Sequence, residues 1–133
     1  LSLSHGAGHI FRALYEATAC GTRHILDDAS AHGLKVERIF LGGGGARSSL
    51  WLQIHADVLN QPIHLARESE ACALGSAMTA AIAAGFFANF DNAAKAMVAI
   101  ERTVEPNEKN RDVYDELFTR YVEVYEVLNP PVR

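Results

Sequence analysis

The segment most able to do chemistry is a glycine run that follows a short apolar stretch. Residues 39–41 (Ile-Phe-Leu) lead into four glycines at 42–45 and then into residues 46–49 (Ala-Arg-Ser-Ser). Glycine adopts positive φ without strain, and its bare peptide lets a ligand approach the backbone closely. The first N–H groups of a following helix have no intrahelical partner and carry partial positive charge. The segment therefore predicts a seat for an anion or a nucleotide.

Two other interpretations of this run stay open from the residues alone. A tight strand-to-helix turn with Ser48 as N-cap would need no ligand. The spacing Gly43-x-Gly45-x-x-Ser48 also approaches the fingerprint of a dinucleotide-binding module of an oxidoreductase, with Glu68 as the ribose acceptor. Ser48 stands where that fingerprint needs its third small residue, and residues 47–49 would crowd the helix–strand contact. A P-loop is excluded because no Gly-Lys-Ser/Thr follows.

The elements that must position the run follow from hydrophobic spacing and from stop residues. Helices are predicted at residues 8–31, 48–59, 69–84, 91–100 and from about 108 to 128, and strands at 36–41 and 63–66. Gly33 and Gly85 are the expected helix stops, Ser69 and Asp91 the expected N-caps, and Pro130 and Pro131 end the last helix. This order predicts an α/β fold with a parallel strand pair. Two strands make no stable sheet alone, so further strands are expected upstream of Leu1.

The first helix is indicated by apolar and small residues at helical spacing: Ile10, Leu14, Ala17, Gly21 and Ile25. In the second helix the same spacing predicts a core face made of Trp51, Ile54, Val58 and Leu59. The last helix has an apolar line, with its acids on a solvated face; the line is Val113, Leu117, Tyr121, Val124 and Leu128.

Composition bounds the class of protein. The chain has 133 residues, of which 49% are hydrophobic and 21% charged, as in a single globular domain. A net charge of -4 argues against nucleic-acid binding, and no apolar stretch reaches the ~20 residues of a membrane span. Cys20 and Cys72 form no Cys-x-x-Cys motif, which favours a reduced, cytoplasmic protein. The chain begins at Leu1 inside patterned sequence, so we expect a fragment of something longer.

Four segments together resemble the C-terminal domain of carbohydrate kinases of the FGGY type. They lie within residues 1–13, 43–59, 62–77 and 104–117, so the resemblance covers nearly the whole chain. It implies that residues 1–133 are the nucleotide-binding C-terminal portion of an actin/hexokinase/Hsp70-like ATPase, a ribonuclease H-like fold with ATP in the cleft between two lobes.

Carried over position by position, the resemblance implies that Gly43, Gly44, Gly45, Ala46 and Ser48 contact the adenosine of ATP, mainly through backbone atoms. Gly44 and Ser48 are expected to matter most. It also implies that the catalytic base and the Mg²⁺ ligands lie upstream, so no catalytic or metal-binding residue is assigned here and the fragment alone should be inactive. The expected activity is ATP-dependent phosphorylation of a sugar or polyol hydroxyl. Ribulokinase- or xylulokinase-like, and hence pentulose-like, substrates are favoured, and a homodimer is left open.

The other polar residues receive structural interpretations. Arg47 is expected to be solvated or paired with an acid in preference to contacting a phosphate. Asp57 is expected to face outward from its helix, and Glu16 to form a buried pair or a helix-end contact with an unnamed partner. His5 and His9 are four apart, but without an H-E-x-x-H motif they predict a capping or polar network more than a zinc site.

Overall fold

The computed structural model of the chain describes residues 2–68 and 70–130. Its helices are α1 (Ala7–Ala31), α2 (Ser49–Leu59), α3 (Ala71–Ala83), α4 (Phe90–Met97) and α5 (Arg111–Leu128). Its strands are β1 (Ile39–Leu41), β2 (Ile63–Ala66) and β3 (Ile100–Val104), and single 3₁₀ turns lie at Gly44–Arg47 and Glu108–Asn110. The expected cap Ser69 and the expected helix-ending Pro131 lie outside the described residues. No helix in the described ranges is long and apolar enough to cross a membrane.

The strands form one sheet in the order β1-β2-β3. β1 and β2 are parallel, with Ile39 opposite Ile63, which confirms the predicted pair. β3 runs antiparallel to β2, with Arg102 opposite Leu65, and this strand was not predicted. The prediction that helix continues to about residue 100 is wrong because α4 ends at Met97 and the chain then hydrogen-bonds along the second edge of β2.

Helix α2 is the centre of the hydrophobic core. One side of it packs on the sheet, in a buried cluster made of Ile39, Leu52, Ala56, Leu59, Ile63 and Leu65. Its other side meets α1 and α5, in a cluster made of Ala19, Cys20, Ile54, Val58 and Tyr114. Because α2 contributes to both clusters, the segment that precedes it, the glycine run, is attached to the most buried helix of the chain.

The apolar residues that marked α1 as a helix, and most of the apolar line of α5, are not the residues that pack. Ile10, Leu14 and Ile25 of α1 are exposed, and the face that packs carries Ala19 and Cys20. In α5, three of the five residues of that line, Val113, Val124 and Leu128, are exposed; Tyr114 is buried there, and Leu117, Phe118 and Tyr121 pack beside it. Hydrophobic spacing identified the helices, but apolar residues occur on more than one face of each.

Local boundary signals were mostly correct. Gly33 and Gly85 follow their helices with φ of 85° and 81°, as expected of helix stops. Asp91 is not the cap of α4, because the Asn89 side chain accepts the hydrogen bond from the Asn92 N–H at 2.9 Å and Asp91 lies in the first turn. β1 begins at Ile39, later than predicted, and its Phe40 is exposed although the strand was expected to be buried.

Candidate functional site

The glycine turn begins at the C-terminal end of β1 and reverses the chain in two short steps. Gly43 has φ of 76°, a conformation that L-residues other than glycine rarely adopt. A 3₁₀ turn follows at Gly44–Arg47, in which the Ala46 N–H donates to the Gly43 carbonyl at 3.2 Å. Ser48 is then the N-cap of α2, since its Oγ accepts a hydrogen bond from the Trp51 N–H at 3.3 Å.

Three glycines of the turn differ in whether the fold itself explains them. Gly43 is required by its positive φ. A Cβ on Gly45 would lie 3.1 Å from the Trp51 ring, so the packing of that ring explains why residue 45 is glycine. Gly44 has neither reason: its φ is not positive, and an added Cβ would meet nothing within 4 Å. Bare backbone facing open space is the feature expected where a ligand approaches.

A crevice of about 380 Å³ lies beside the turn, at the C-terminal ends of the parallel strands. Of the predicted site residues, Gly43 and Ala46 line it, whereas Gly44, Gly45 and Ser48 belong to the same turn but do not line the crevice. Apolar residues of the sheet, including Phe40 and Leu65, contribute to its lining. In open α/β sheets this end of the strands is the usual place for a ligand, and the volume falls within the range of small-molecule sites.

Charged residues surround this crevice, and sequence reasoning missed most of them as site residues. Arg47 comes from the turn, Arg67 and Glu68 follow β2, and Glu101 and Arg102 belong to β3. In residues 2–68 and 70–130, none of the three arginines has a carboxylate oxygen within 4.0 Å. Arg67 could have been found from its place directly after a strand; the β3 residues could not, because that strand was not predicted.

Asp57 is the clearest correction among the polar residues, because it is buried and does not face outward. Its side chain is only 5% exposed. It accepts hydrogen bonds from Gln53 Nε2 at 2.8 Å, from the Asn107 N–H at 2.8 Å and from Asn110 Nδ2 at 2.7 Å. Gln53 Nε2 also donates to the Glu105 carbonyl at 2.9 Å. We call this set the Asp57 clamp: it ties α2 to the segment that joins β3 to α5.

The unnamed partners of Glu16 are Arg12 and Tyr114. Arg12 Nε donates to Glu16 Oε1 at 2.8 Å, and Arg12 Nη2 donates to the Tyr114 hydroxyl at 2.9 Å. Tyr114 in turn donates to Glu16 at 3.3 Å. Burial, and next the negative charge of Glu16, raises the pKa of Tyr114, which therefore keeps its proton. The triad joins α1 to α5 and is a structural contact.

The histidines near the start of the chain fit the predicted capping role. Ser2 N–H donates to His5 Nδ1 at 3.0 Å, and Gly6 N–H donates to His9 Nδ1 at 3.2 Å, which closes the start of α1. Elsewhere, His55 is buried, and that burial lowers its pKa. No group of three His, Cys, Asp or Glu side chains converges in the described part of the chain.

Comparison with known proteins adds an independent observation. Residues 1–84 match the sequence model of the FGGY family of carbohydrate kinases, C-terminal domain. The chain is 34% identical over 131 residues to a ribulokinase from Bacillus licheniformis, covering 94% of this chain and 24% of that protein. It is 31% identical over 117 residues to an FGGY carbohydrate kinase domain-containing protein from Homo sapiens, covering 88% of this chain and 21% of that protein. The chain thus spans about a quarter of the length of these curated relatives.

Solved structures show the same similarity. A xylulose kinase from Rhodospirillum rubrum is 37% identical with a TM-score of 0.83, covering 98% of this chain and 26% of that one. A glycerol kinase from Plasmodium falciparum, solved with ADP, has a TM-score of 0.73 over 92% of this chain and 25% of that one; at 21% identity it supports the fold alone. These matches confirm the predicted α/β fold of the actin/hexokinase-like class.

Proposed function

Because this chain belongs to the FGGY family of carbohydrate kinases and matches its C-terminal domain, we propose that it is the nucleotide-binding part of an ATP-dependent sugar or polyol kinase. Membership of this family favours a kinase, and no observation favours the alternative of a dinucleotide-binding oxidoreductase module. Glu68, the ribose acceptor of that alternative, lines the crevice beside the glycine turn. A loss of activity on changing Glu68 would therefore no longer distinguish the two functions.

The observation that carries the proposal is the open backbone of Gly44 at the carboxyl end of a parallel strand. In this proposal Gly43, Gly44, Gly45 and Ala46 present peptide groups to the adenosine, Gly43 and Ala46 from the wall of the crevice and Gly44 and Gly45 from the part of the turn outside it. The Ser48 hydroxyl is less available to a ligand than expected, because its Oγ already accepts a hydrogen bond from the Trp51 N–H. Its O–H can still donate a hydrogen bond to the ligand. The residues fit a nucleoside, with bare peptides on one side and apolar walls at the base of the crevice.

The rest of the chain holds this seat in place and performs no chemical step. The N-terminus of α2 directs partial positive charge towards the turn, which favours the phosphate-bearing side of a nucleotide. Burial of α2 between the sheet and α1 keeps that N-terminus fixed relative to β1. Bound ATP supplies the phosphoryl group that is transferred.

The missing three quarters of the protein, measured by its relatives, supply the remaining functions in this proposal. They bind the sugar, provide the base for its hydroxyl and hold Mg²⁺; among the described residues no three His, Cys, Asp or Glu side chains converge. A pentulose-like substrate is favoured because the similar proteins include ribulokinases and xylulose kinases. Closure of two lobes around the substrates would exclude water from the transfer.

The test is a Gly44→Val change in the full-length protein, with steady-state kinetics against ATP and against the sugar. We expect the KM for ATP to rise about tenfold or more, which corresponds to about 1.4 kcal/mol. The KM for the sugar should stay unchanged. Gly8→Ala is the matched control, because a Cβ at Gly8 also meets nothing within 4 Å but lies far along the chain, in α1. A folded Gly44→Val enzyme whose KM for ATP stays within about twofold of wild type would refute the proposed seat.

A further inference from the structure

The crevice beside the glycine turn has a second end, formed by residues that follow or belong to β2 and β3. Arg67 follows β2 directly, and its N–H donates to the Ala99 carbonyl at 2.8 Å, which holds it beside the start of β3. Arg102 lies in β3 opposite Leu65 of β2. The backbone of both arginines is thus fixed by the sheet, and both line the crevice. Arg102 also lies beyond residues 1–84, the part of the chain that the family model matches.

The two ends of the crevice offer different chemistry. The turn end has the backbone of Gly43 and Ala46 and the guanidinium group of Arg47, which suit phosphate groups. The far end is separated from β1 by two strand spacings, about 10 Å in all, which is a span that a nucleoside can bridge. Between the two ends the lining includes the apolar residues Leu41, Leu65 and Ala66. An apolar wall suits a purine ring, and the far end is therefore placed to meet the base.

Guanidinium groups at this end are available for a ligand. Neither Arg67 nor Arg102 has a carboxylate within 4.0 Å among the described residues. A guanidinium plane stacks on an aromatic ring and does so better than a lysine ammonium, which is a compact and strongly hydrated charge. Arg67 directly follows β2 and Arg102 lies in the neighbouring strand β3, so both side chains extend from backbone that the sheet holds in place.

We propose that Arg67 and Arg102 hold the base end of the bound nucleotide by laying their guanidinium planes against the purine. This inference rests on the proposed function, because it takes the nucleotide to lie with its ribose at the glycine turn. It adds to that function a contact from β3, the strand that no sequence pattern predicted. The same contact makes β3 part of the site, although its side chains contribute little to the core.

The experiment measures binding of adenosine and of ADP to the full-length protein by calorimetry, for wild type, Arg102→Met, Arg67→Met and Arg102→Lys. Stacking predicts that each Met variant weakens adenosine and ADP by the same factor, about fivefold. Arg102→Lys should lose most of the same affinity, since it keeps the charge but not the plane. Arg120→Met is the control, because Arg120 is exposed on α5 and pairs with Glu116.

Two outcomes would overturn the inference while leaving the proposed function intact. In the first, the Met variants bind ADP more weakly but bind adenosine as wild type does, and Arg102→Lys restores ADP binding. The arginines would then contact phosphate, and the base would lie elsewhere. In the second, Gly44→Val weakens ADP binding and neither arginine change does, which would mean that the far end of the crevice contacts no part of the nucleotide. A wild-type protein that binds neither ligand, or a Gly44→Val variant that binds ADP normally, would instead refute the proposed nucleotide seat itself.

Discussion

The Asp57 clamp allows a prediction whose size follows from its geometry. In Asp57→Ala, three donors lose their acceptor: the Gln53 amide, the Asn107 N–H and the Asn110 amide. A hydrogen bond to a charged group contributes about 1.5–3 kcal/mol, and a buried donor left unpaired costs about 1–3 kcal/mol. Asn107 is exposed, so water can replace part of this loss. We therefore expect Asp57→Ala to lower the free energy of unfolding by about 3 kcal/mol.

The conservative variant separates geometry from charge. Asp57→Asn keeps a carbonyl oxygen that can accept from Gln53 and the Asn107 N–H, and Asn110 can turn its amide to present oxygen to the new NH₂ group. Its expected cost is about 1 kcal/mol. Urea denaturation of the chain measures both values, and amide exchange at Asn107 should quicken in the Ala variant.

Asp27→Ala is the matched control, because Asp27 is exposed on α1 and has no ion pair within 4.0 Å among the described residues. Its effect should stay within about 0.5 kcal/mol. The reasoning fails if Asp57→Ala and Asp27→Ala unfold at the same urea concentration.

Two further predictions concern stability. Burial lowers the pKa of His55, so the unfolded chain binds that proton more readily: stability should be complete above about pH 6.5 and fall as the pH drops below it. When the pH is lowered from about 7.5 to 5, the urea midpoint should fall less steeply in His55→Gln than in wild type. Equal slopes for the two proteins would contradict the assignment of this pH dependence to His55. Gly45→Ala should destabilise by about 1–3 kcal/mol, because the new Cβ lies 3.1 Å from the Trp51 ring, whereas Gly44→Ala should be nearly neutral in the same denaturation assay. Equal midpoints for the two alanine variants would show that the Trp51 contact relaxes freely.

The sequence was most informative where the signal is local. Glycine at a positive φ, as at Gly33 and Gly85, and a serine before an amphipathic stretch, as at Ser48, give boundaries that the structure confirms. The cap of α4 shows the limit of such signals, since Asn89 and Asp91 are both suitable caps two residues apart and only the backbone decides between them. The parallel pair also followed from local pattern, because both strands are short apolar runs between turns.

Features that depend on distant residues could not be predicted. β3 has the sequence Ile-Glu-Arg-Thr-Val and only its last side chain is partly buried, so its place is determined by hydrogen bonds to β2 and not by hydrophobic spacing. Asp57 looks like a surface residue on its own helix and is buried only because residues 105–110 fold over it, some 50 positions later. The apolar residues of α1 show the same limit, since periodicity cannot say which of two apolar faces has a partner.

The open edge of β1 has a consequence for handling the chain in solution. No described strand pairs with the side of β1 that faces away from β2, and Phe40 on that strand is 43% exposed. Unpaired peptide groups beside an exposed aromatic ring are a template for addition of another strand. When the chain is produced by itself, its self-association should therefore rise with concentration. Recovery from denaturant should be best in dilute solution, where refolding outpaces strand-to-strand encounter between molecules.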